Sequence, residues 1–226
     1  MSEIIRYAFG RSSLGDYLTA ISDRGLVAFE FGSRHNALVD ALHLRFPAVT
    51  IEQDDAGLSD MVEKLAAAVD HPERDPGLAL DMLGSDYEKR VWHILREIPA
   101  GQTTTYGAIA AMMGTPRDAR DVTEAIAANT IAILIPCHRV VKTDGSLSGY
   151  RWGFQRKRAL LARERNAVAC QLACASSRGD KGRFHASRDE LRIRDAAWSG
   201  GRSASRGPIA YPSEALLKRP PDAVNP

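Results

Sequence analysis

Apolar-rich stretches separated by turn residues organise the first part of the chain. Residues 4–9, 17–22 and 26–31 have the composition of short strands, and Gly15-Asp16 and Asp23-Arg24-Gly25 lie between them. Such a pattern predicts an antiparallel meander of three strands.

Two stretches with helical apolar spacing follow the meander. Residues 37–46 stop before Pro47, and residues 60–69 stop before His71-Pro72, so two helices are expected. A further strand is predicted over residues 78–83. Residues 1–80 are therefore interpreted as one α/β segment.

The next segment, residues 81–165, is predicted to be almost entirely helical. Ser85 and Glu88 form a capping-box pattern, and an apolar face then runs to Ile98. A short helix is expected over residues 105–113, closed by Gly114. A second is expected to start at Thr115-Pro116 and to run to Asn129. Two short helices joined by a tight turn are a helix-turn-helix candidate.

The apolar run 131–135 is predicted to be strand-like and to lead into Pro136. An amphipathic helix is then expected over residues 155–164, with Leu160 and Leu161 facing inward. From residue 166 to residue 226 the apolar periodicity is lost, and Ser, Arg, Gly, Ala and Pro dominate. This composition offers no core and predicts a disordered extension.

Charge and composition narrow the class of protein. The net charge of the 226 residues is +2, but residues 166–226 carry ten Lys/Arg and six Asp/Glu. The rest of the chain is therefore slightly acidic, which excludes a broadly basic nucleic-acid binder. The sequence contains neither a membrane-length apolar run nor a secretory signal pattern, so a cytoplasmic protein is expected.

The three cysteines, Cys137, Cys170 and Cys174, do not suggest a disulfide framework or a metal site. Cys137 is different because His138 and Arg139 follow it directly. A cysteine reacts as the thiolate, and a thiol with a pKa of ~8.5 needs a neighbouring base or cation to ionise at neutral pH. Glu164 could orient the imidazole of His138 if the last helix packs over this loop.

Several motifs in this order closely resemble the O6-alkylguanine-DNA alkyltransferases, which transfer an alkyl group to their own cysteine. The resemblance is strongest to the C-terminal domain of Ada and to its Ogt relatives. The matching stretches are residues 100–106 (AGQTTTY), 128–129 (AN), 135–141 (IPCHRVV), 144–153 (DGSLSGYRWG) and 158–164 (RALLARE). The resemblance implies an α+β fold. An RNase H-like antiparallel-sheet subdomain would precede a mostly helical, winged-helix-like subdomain with the helix-turn-helix.

The family's catalytic roles carry over to five residues of this chain. By resemblance, Cys137 is the alkyl acceptor and His138 is the base that takes its proton through a water. Glu164 orients His138, and Asn129 braces the active-site turn. Tyr106 crowds the 3′ phosphate of the target and can donate to guanine N3.

The resemblance also implies a surface that binds DNA and the flipped base. Arg120 would fill the vacated stack, and Tyr150 with the Ser148-Gly149 backbone would form the wall of the guanine pocket. Trp152 is expected to pack at the rim of this pocket. The complete predicted set is Arg120, Tyr106, Thr105, Thr123, Ala127, Ser148, Gly149, Tyr150, Arg151 and Trp152.

The implied function is stoichiometric repair of O6-alkylguanine in duplex DNA, after base flipping by a helix-turn-helix in the minor groove. The resemblance leaves open whether O4-alkylthymine is also a substrate. A monomer without cofactor, metal or membrane contact is expected, and double-stranded DNA carrying alkylated bases is the expected partner.

This chain departs from the family pattern in two respects. Asp121 and Glu124 place acidic side chains on the recognition helix, where phosphates would repel them. No cysteine precedes Cys137, so the Cys-rich regulatory module of Ada is not expected.

Two alternatives to alkyl transfer remain at this stage. The first is a damage-binding protein without alkyl transfer, although proteins of that type replace the acceptor cysteine. The second is a Cys-His-Glu hydrolase, although the sequence offers no dedicated oxyanion-hole motif.

Overall fold

The computed structural model describes residues 4–114 and 119–177. The first segment forms a four-stranded sheet in the order β3-β2-β1-β4. Its strands are β1 (Ile4–Ser12), β2 (Gly15–Ser22), β3 (Gly25–Phe31) and β4 (Thr50–Gln53). The predicted meander of three antiparallel strands is confirmed. The sheet as a whole is mixed rather than antiparallel, because β4 pairs with β1 in parallel and was not predicted.

Two helices pack on this sheet, close to the predicted bounds. They are α1 (His35–Arg45) and α2 (Ser59–Asp70). The α2 helix buries Leu65, Ala68 and Val69 on one stripe. Leu65 and Val69 belong to the larger core cluster, whereas Leu42 of α1 joins a smaller cluster with Ile5 and Leu18.

The strand predicted over residues 78–83 is wrong. Among the described residues, this stretch makes only an isolated bridge, in which Leu26 donates to the Ala79 carbonyl and accepts from the Asp81 N–H, both at 2.9 Å. The close approach requires Gly25, because a Cβ there would lie 2.5 Å from the Ala79 oxygen. Ser22 donates to the Asp81 carboxylate at 2.6 Å and ties the stretch to the sheet.

The second segment begins with α3 (Asp86–Glu97), and the predicted capping box is present. The Ser85 hydroxyl accepts from the Glu88 N–H, and the Glu88 carboxylate accepts from the Ser85 N–H. Two short strands then pair in parallel, β5 (Thr104–Thr105) and β6 (Val140–Val141).

The two helices of the helix-turn-helix candidate are α4 (Tyr106–Met113) and α5 (Ala119–Ala127), and they pack on each other. Gly114 closes α4 in the left-handed conformation, as expected of a helix C-terminus. The predicted helix start at Thr115-Pro116 lies outside the described residues. The α5 helix ends at Ala127, two residues before the predicted end at Asn129.

The apolar run 131–135 is a buried turn, so the prediction of a strand-like run is wrong. Only Ile131 pairs with the sheet: the Phe29 N–H donates to the Thr130 carbonyl at 2.8 Å, and the Ala132 N–H donates to the Phe29 carbonyl at 2.9 Å. Ile133 adopts a φ of +66°, which a β-branched residue reaches only under strain. The turn leads into a 3₁₀ turn, Cys137–Arg139.

The last helix is much longer than predicted. It runs as α6 (Phe154–Ser177), so residues 166–177 are helical and do not belong to a disordered extension. The part of that predicted extension beyond Ser177 lies outside the described residues.

One hydrophobic core draws on both predicted segments. Tyr17 and Phe29 from the sheet, Leu65 from α2, Val91 from α3 and Leu160 from α6 all belong to it and are buried. The α+β class is therefore confirmed. Within the described residues, no helix combines the length and apolar character that a membrane crossing requires.

The contact between α3 and α5 gives a test of this core. Trp92 is 2% exposed, and its indole N–H donates to the Ala125 carbonyl at 2.8 Å. We expect Trp92→Phe to lower the free energy of unfolding by about 1–3 kcal/mol, because the buried carbonyl loses its partner. Urea denaturation measures this change. Tyr7→Phe, which removes only an exposed 3.4 Å contact to Gln53, should change it by less than about 0.5 kcal/mol.

Candidate active site

Asn129 holds the turn that presents Cys137. Its side-chain carbonyl accepts from the Ile131 N–H at 2.9 Å. Its amide nitrogen lies 3.2 Å from the Ile131 oxygen, 3.1 Å from the Ile135 oxygen and 3.3 Å from the Cys137 sulfur. Two N–H groups are thus shared among three acceptors, and Asn129 couples the shape of the turn to the sulfur.

The Cys137 thiol is buried and protonated in this arrangement. Only 5% of the residue is exposed, and burial raises the pKa of the thiol to about 11. The hydrogen bond from Asn129 and the charge of Lys157 oppose this rise but do not cancel it. The adjacent cation expected from the sequence, Arg139, does not activate the sulfur. A base must therefore remove the proton during reaction.

His138, the next residue in the chain, is the candidate for such a base. The residue is fully buried, and its Nε2 lies 2.8 Å from the Glu164 carboxylate. An ionised carboxylate only accepts, so we assign the proton to Nε2 and leave the lone pair on Nδ1. Nδ1 is buried and has no hydrogen-bond partner among the described residues. Burial lowers the pKa of His138, against the opposing effect of Glu164, so the imidazole is neutral at rest.

Glu164 is the buried anion that organises the cluster. Besides His138, its carboxylate accepts from Arg139 Nε at 3.0 Å and from the Gly101 N–H at 3.1 Å. Burial would raise the pKa of Glu164, but the hydrogen bonds from His138 and Arg139 outweigh it and hold the pKa at about 2. The structure thus brings Glu164 to His138, as expected if α6 packs over the loop.

The Arg139 guanidinium binds Glu164 and two backbone carbonyls. It donates to the Ile98 carbonyl at 2.5 Å, to the Pro72 carbonyl at 3.3 Å and to Glu164 at 2.8 Å. These bonds join the 3₁₀ turn to α6, to the end of α3 and to the chain after α2. A cavity of about 270 Å³ lies beside Arg139 and Pro136, and Cys137 does not line it.

Lys157 is a site residue that the sequence analysis missed. It is fully buried on α6, and its ammonium donates to the Val140 carbonyl at 2.5 Å and to the Ser148 hydroxyl at 2.7 Å. Burial lowers the pKa of Lys157 to about 8. The available signal was its position one helical turn before Leu160 and Leu161, on the face that these residues bury.

Ser148 connects Lys157 to Tyr106. The Tyr106 hydroxyl donates to Ser148 Oγ at 3.0 Å, and Ser148 donates in turn to the Val140 carbonyl at 3.0 Å. Ser148 itself is buried, whereas the neighbouring Gly149 is exposed. Two residues predicted for the guanine pocket, Tyr106 and Ser148, are therefore in direct contact.

Tyr150 stands next to His138, and Trp152 stands next to Tyr150. The Tyr150 ring meets the His138 ring edge-on at 6.5 Å between centroids and the Trp152 ring at 5.2 Å. The Tyr150 hydroxyl and the Trp152 indole nitrogen are both buried without a hydrogen-bond partner among the described residues. Each of these polar atoms can serve a bound ligand or a water.

The other predicted DNA contacts occupy separate positions. Arg120 and Ala127 are exposed on α5, and Thr123 is half-buried there. The Thr105 hydroxyl caps the N-terminus of α4, where it accepts a hydrogen bond from the Ala108 N–H at 3.2 Å. Arg151 donates to the Ala127 carbonyl and to Glu30, both at 3.3 Å, and so links the loop before α6 to α5 and to β3. Within the described part of the chain, no group of three His, Cys, Asp or Glu side chains is placed to hold a metal ion.

Comparisons with known proteins identify relatives of this chain. A family profile described as "6-O-methylguanine DNA methyltransferase, DNA binding domain" matches residues 86–166. The Escherichia coli protein named "Bifunctional transcriptional activator/DNA repair enzyme Ada" is 41% identical over 160 residues. That match covers 71% of this chain but only 45% of the Ada protein.

Smaller relatives match over more of their length. A Mycobacterium tuberculosis "Methylated-DNA--protein-cysteine methyltransferase" is 41% identical over 119 residues, which cover 53% of this chain and 72% of the relative. The crystal structure of an O6-methylguanine methyltransferase from the same organism has 34% identity and a TM-score of 0.57, and covers 72% and 93% of the two chains. A further M. tuberculosis structure, at a TM-score of 0.56 and 34% identity, covers 71% and 93%, and is described as Ogt in complex with DNA.

The buried carboxylate gives a prediction about acid stability. Because the pKa of Glu164 is lowered from 4.5 to about 2, its contribution to stability is complete above pH 4.5 and is lost as the pH falls towards 2. The lowered pKa of His138 acts in the same direction below pH 6.5. We expect Glu164→Gln to lose about 3–5 kcal/mol at pH 7, since Arg139 keeps a buried charge without its partner.

Urea denaturation from pH 8 to pH 2 measures both effects. The unfolding free energy of Glu164→Gln should vary less between pH 4.5 and pH 2 than that of the wild type. Glu52→Gln, a change at an exposed carboxylate on β4, serves as the control and should follow the wild type. Equal pH dependence of all three proteins would show that Glu164 does not carry the buried charge.

The raised pKa of Cys137 gives a prediction about labelling. At pH 8, iodoacetamide should modify Cys137 much more slowly than the exposed Cys170, because a thiol with a pKa of about 11 is almost entirely protonated there. Peptide mass mapping over time measures both rates in one sample. Raising the pH towards 11 should accelerate labelling of Cys137, and urea should remove the difference. Rapid labelling of folded Cys137 at pH 8 would contradict a buried, protonated thiol.

Proposed function

The chain belongs to the family of methylated-DNA–protein-cysteine methyltransferases, and we propose that it repairs O6-alkylguanine in duplex DNA by transferring the alkyl group to Cys137. The observation that carries this proposal is the arrangement around one sulfur. Cys137 is followed by a neutral His138 with its Nδ1 available, and Glu164 holds the opposite nitrogen. Such a hydrogen-bonded pair can take a proton from a thiol and keep the resulting imidazolium stable.

The proposed reaction is a single displacement. His138 Nδ1 takes the thiol proton, through a water as in the family, and the charge that forms on the imidazole faces the ionised Glu164. The thiolate then attacks the alkyl carbon, so that an S–C bond forms while the bond from carbon to guanine O6 breaks. Guanine leaves as an anion, and the Tyr106 hydroxyl stabilises it by donating to N3. The thioether on Cys137 has no good leaving group, so each molecule reacts once.

Asn129 links the chemistry to the turn. Its amide already lies 3.3 Å from the sulfur, and it can strengthen that contact when the sulfur becomes negative. Lys157 adds a buried positive charge on the same side, which favours the thiolate. Both groups therefore stabilise the charge that develops during proton removal.

Substrate entry requires a flipped base. The O6 atom of a stacked guanine cannot reach a buried sulfur, so the nucleotide must leave the helix at a cost of a few kcal/mol. Arg120 on the exposed side of α5 would fill the gap in the stack and offset part of this cost. Tyr150 and the Ser148-Gly149 backbone would form the wall of the base pocket. Tyr106 must turn from Ser148 to meet guanine N3.

The proposal extends to the two subdomains, the oligomeric state and the mode of DNA binding. The sheet order β3-β2-β1-β4, with β4 parallel to β1, supports an RNase H-like first subdomain, and α4 with α5 supports a winged-helix-like second one. We propose a monomer that acts in the cytoplasm on double-stranded DNA, docked through α5 in the minor groove. O4-alkylthymine is a second candidate substrate for the same pocket.

Intact-protein mass tests the transfer directly. After incubation with a duplex that contains one O6-methylguanine, the protein should gain one methyl group, and peptide mapping should place it on Cys137. Cys137→Ala should gain none while still binding the duplex, because the variant removes the acceptor alone.

Cys170→Ser, a change at an exposed cysteine on α6, is the matched control and should gain the methyl group like the wild type. Tight binding without a mass change would instead favour a damage-binding protein. Turnover of an ester without stable modification would favour a hydrolase.

A further inference from the structure

The outer face of α5 carries a row of three exposed residues. Arg120, Glu124 and Ala127 are exposed, and their spacing of four and three positions places them on one stripe. The opposite face is buried: Val122, Ala125 and Ile126 contribute to the main core. Glu124 therefore occupies the middle of the face that the proposed function turns towards DNA.

Glu124 contacts Arg120 on this face. Arg120 Nε donates to Glu124 Oε1 at 3.3 Å, and the two side chains are 83% and 69% exposed. This hydrogen bond holds the guanidinium along the helix surface, beside a residue one turn further on. An arginine that enters a base stack must extend away from the helix, so the two positions exclude each other.

The net charge of α4 and α5 makes the Arg120–Glu124 contact important for DNA binding. The α4 helix contains no charged residue, and α5 contains Arg120, Asp121 and Glu124, which leaves the pair with a net charge of −1. Arg120 is the one basic residue within α5. A phosphate backbone attracts cations and repels carboxylates, so the positive charge that α5 offers to DNA is the one that Glu124 binds.

We propose that Glu124 is a positioning residue for Arg120: it holds the guanidinium along α5 and so opposes insertion of Arg120 into the base stack. This inference rests on the proposed function, in which Arg120 fills the place of the flipped nucleotide. Each productive encounter must break the pair before the flipped complex is stable. Glu124 thereby sets how readily the protein commits to extruding a base.

A double-mutant cycle on the full chain tests the inference. The variants are Glu124→Gln, Arg120→Ala and the two together, and Glu63→Gln on the exposed side of α2 is the control for net charge. The measurement is the second-order rate of methyl uptake on Cys137, by intact mass, from a duplex with one O6-methylguanine.

Glu124→Gln should raise the rate about two-fold, the size expected from an exposed pair four residues apart on a helix. In the Arg120→Ala background, Glu124→Gln should have no effect, because the group that it restrains is gone. Glu63→Gln should match the wild type.

Two results would overturn the inference. An equal gain from Glu124→Gln with and without Arg120 would mean that the carboxylate repels phosphates directly. No gain in either background would mean that the pair does not restrain Arg120. If the wild type takes up no methyl group at all, the proposed function itself fails, which is distinguishable because both results above require a reactive wild type.

Discussion

A single buried carboxylate, that of Glu164, organises the reactive part of the molecule. Removing such a charge from water is costly unless donors surround it. Here Arg139, the His138 imidazole and the Gly101 N–H supply those donors. Because Arg139 also binds the Ile98 and Pro72 carbonyls, this ion pair fixes α6, α3, the 3₁₀ turn and the chain after α2 in one geometry. The tautomer of His138, and with it the base, depends on this arrangement.

The site combines a strong stabilising network with an unreactive resting sulfur. Burial keeps the Cys137 proton in place, while the base beside it stays neutral. At neutral pH the sulfur therefore stays protonated until a base removes the proton. In the proposed single-turnover transfer, this protects the acceptor, because an ionised and exposed thiol would be lost to other electrophiles and oxidants.

Sequence patterns predicted the parts of the structure that local rules control. The three strands of the meander, the capping box at Ser85 and the end of α4 at Gly114 all follow from neighbouring residues. These features need only short-range information. The His138–Glu164 contact joins residues 26 positions apart, and it was expected from the family resemblance and on the condition that α6 packs over the loop.

The features that were missed depend on tertiary contacts. Strand β4 is short and largely exposed, and it exists because it pairs with β1 across some 45 residues. The run 131–135 has the composition of a strand, but Asn129 and the sheet fold it into a turn with Ile133 under strain. Lys157 was missed because a lysine is expected at the surface. Its burial depends on tertiary contacts with the Val140 and Gly149 carbonyls and the Ser148 hydroxyl.

The pairing of Phe29 with Thr130 and Ala132 has a consequence for dissection of the protein. Strand β3 holds the turn that follows Asn129 through these backbone hydrogen bonds. The Thr130 hydroxyl adds a hydrogen bond to the Val27 carbonyl at 3.1 Å. Residues 86–166, the stretch that the family profile matches, contain all five candidate catalytic side chains but not β3. If that stretch were excised, the turn after Asn129 would lose the backbone partners that Phe29 and Val27 provide.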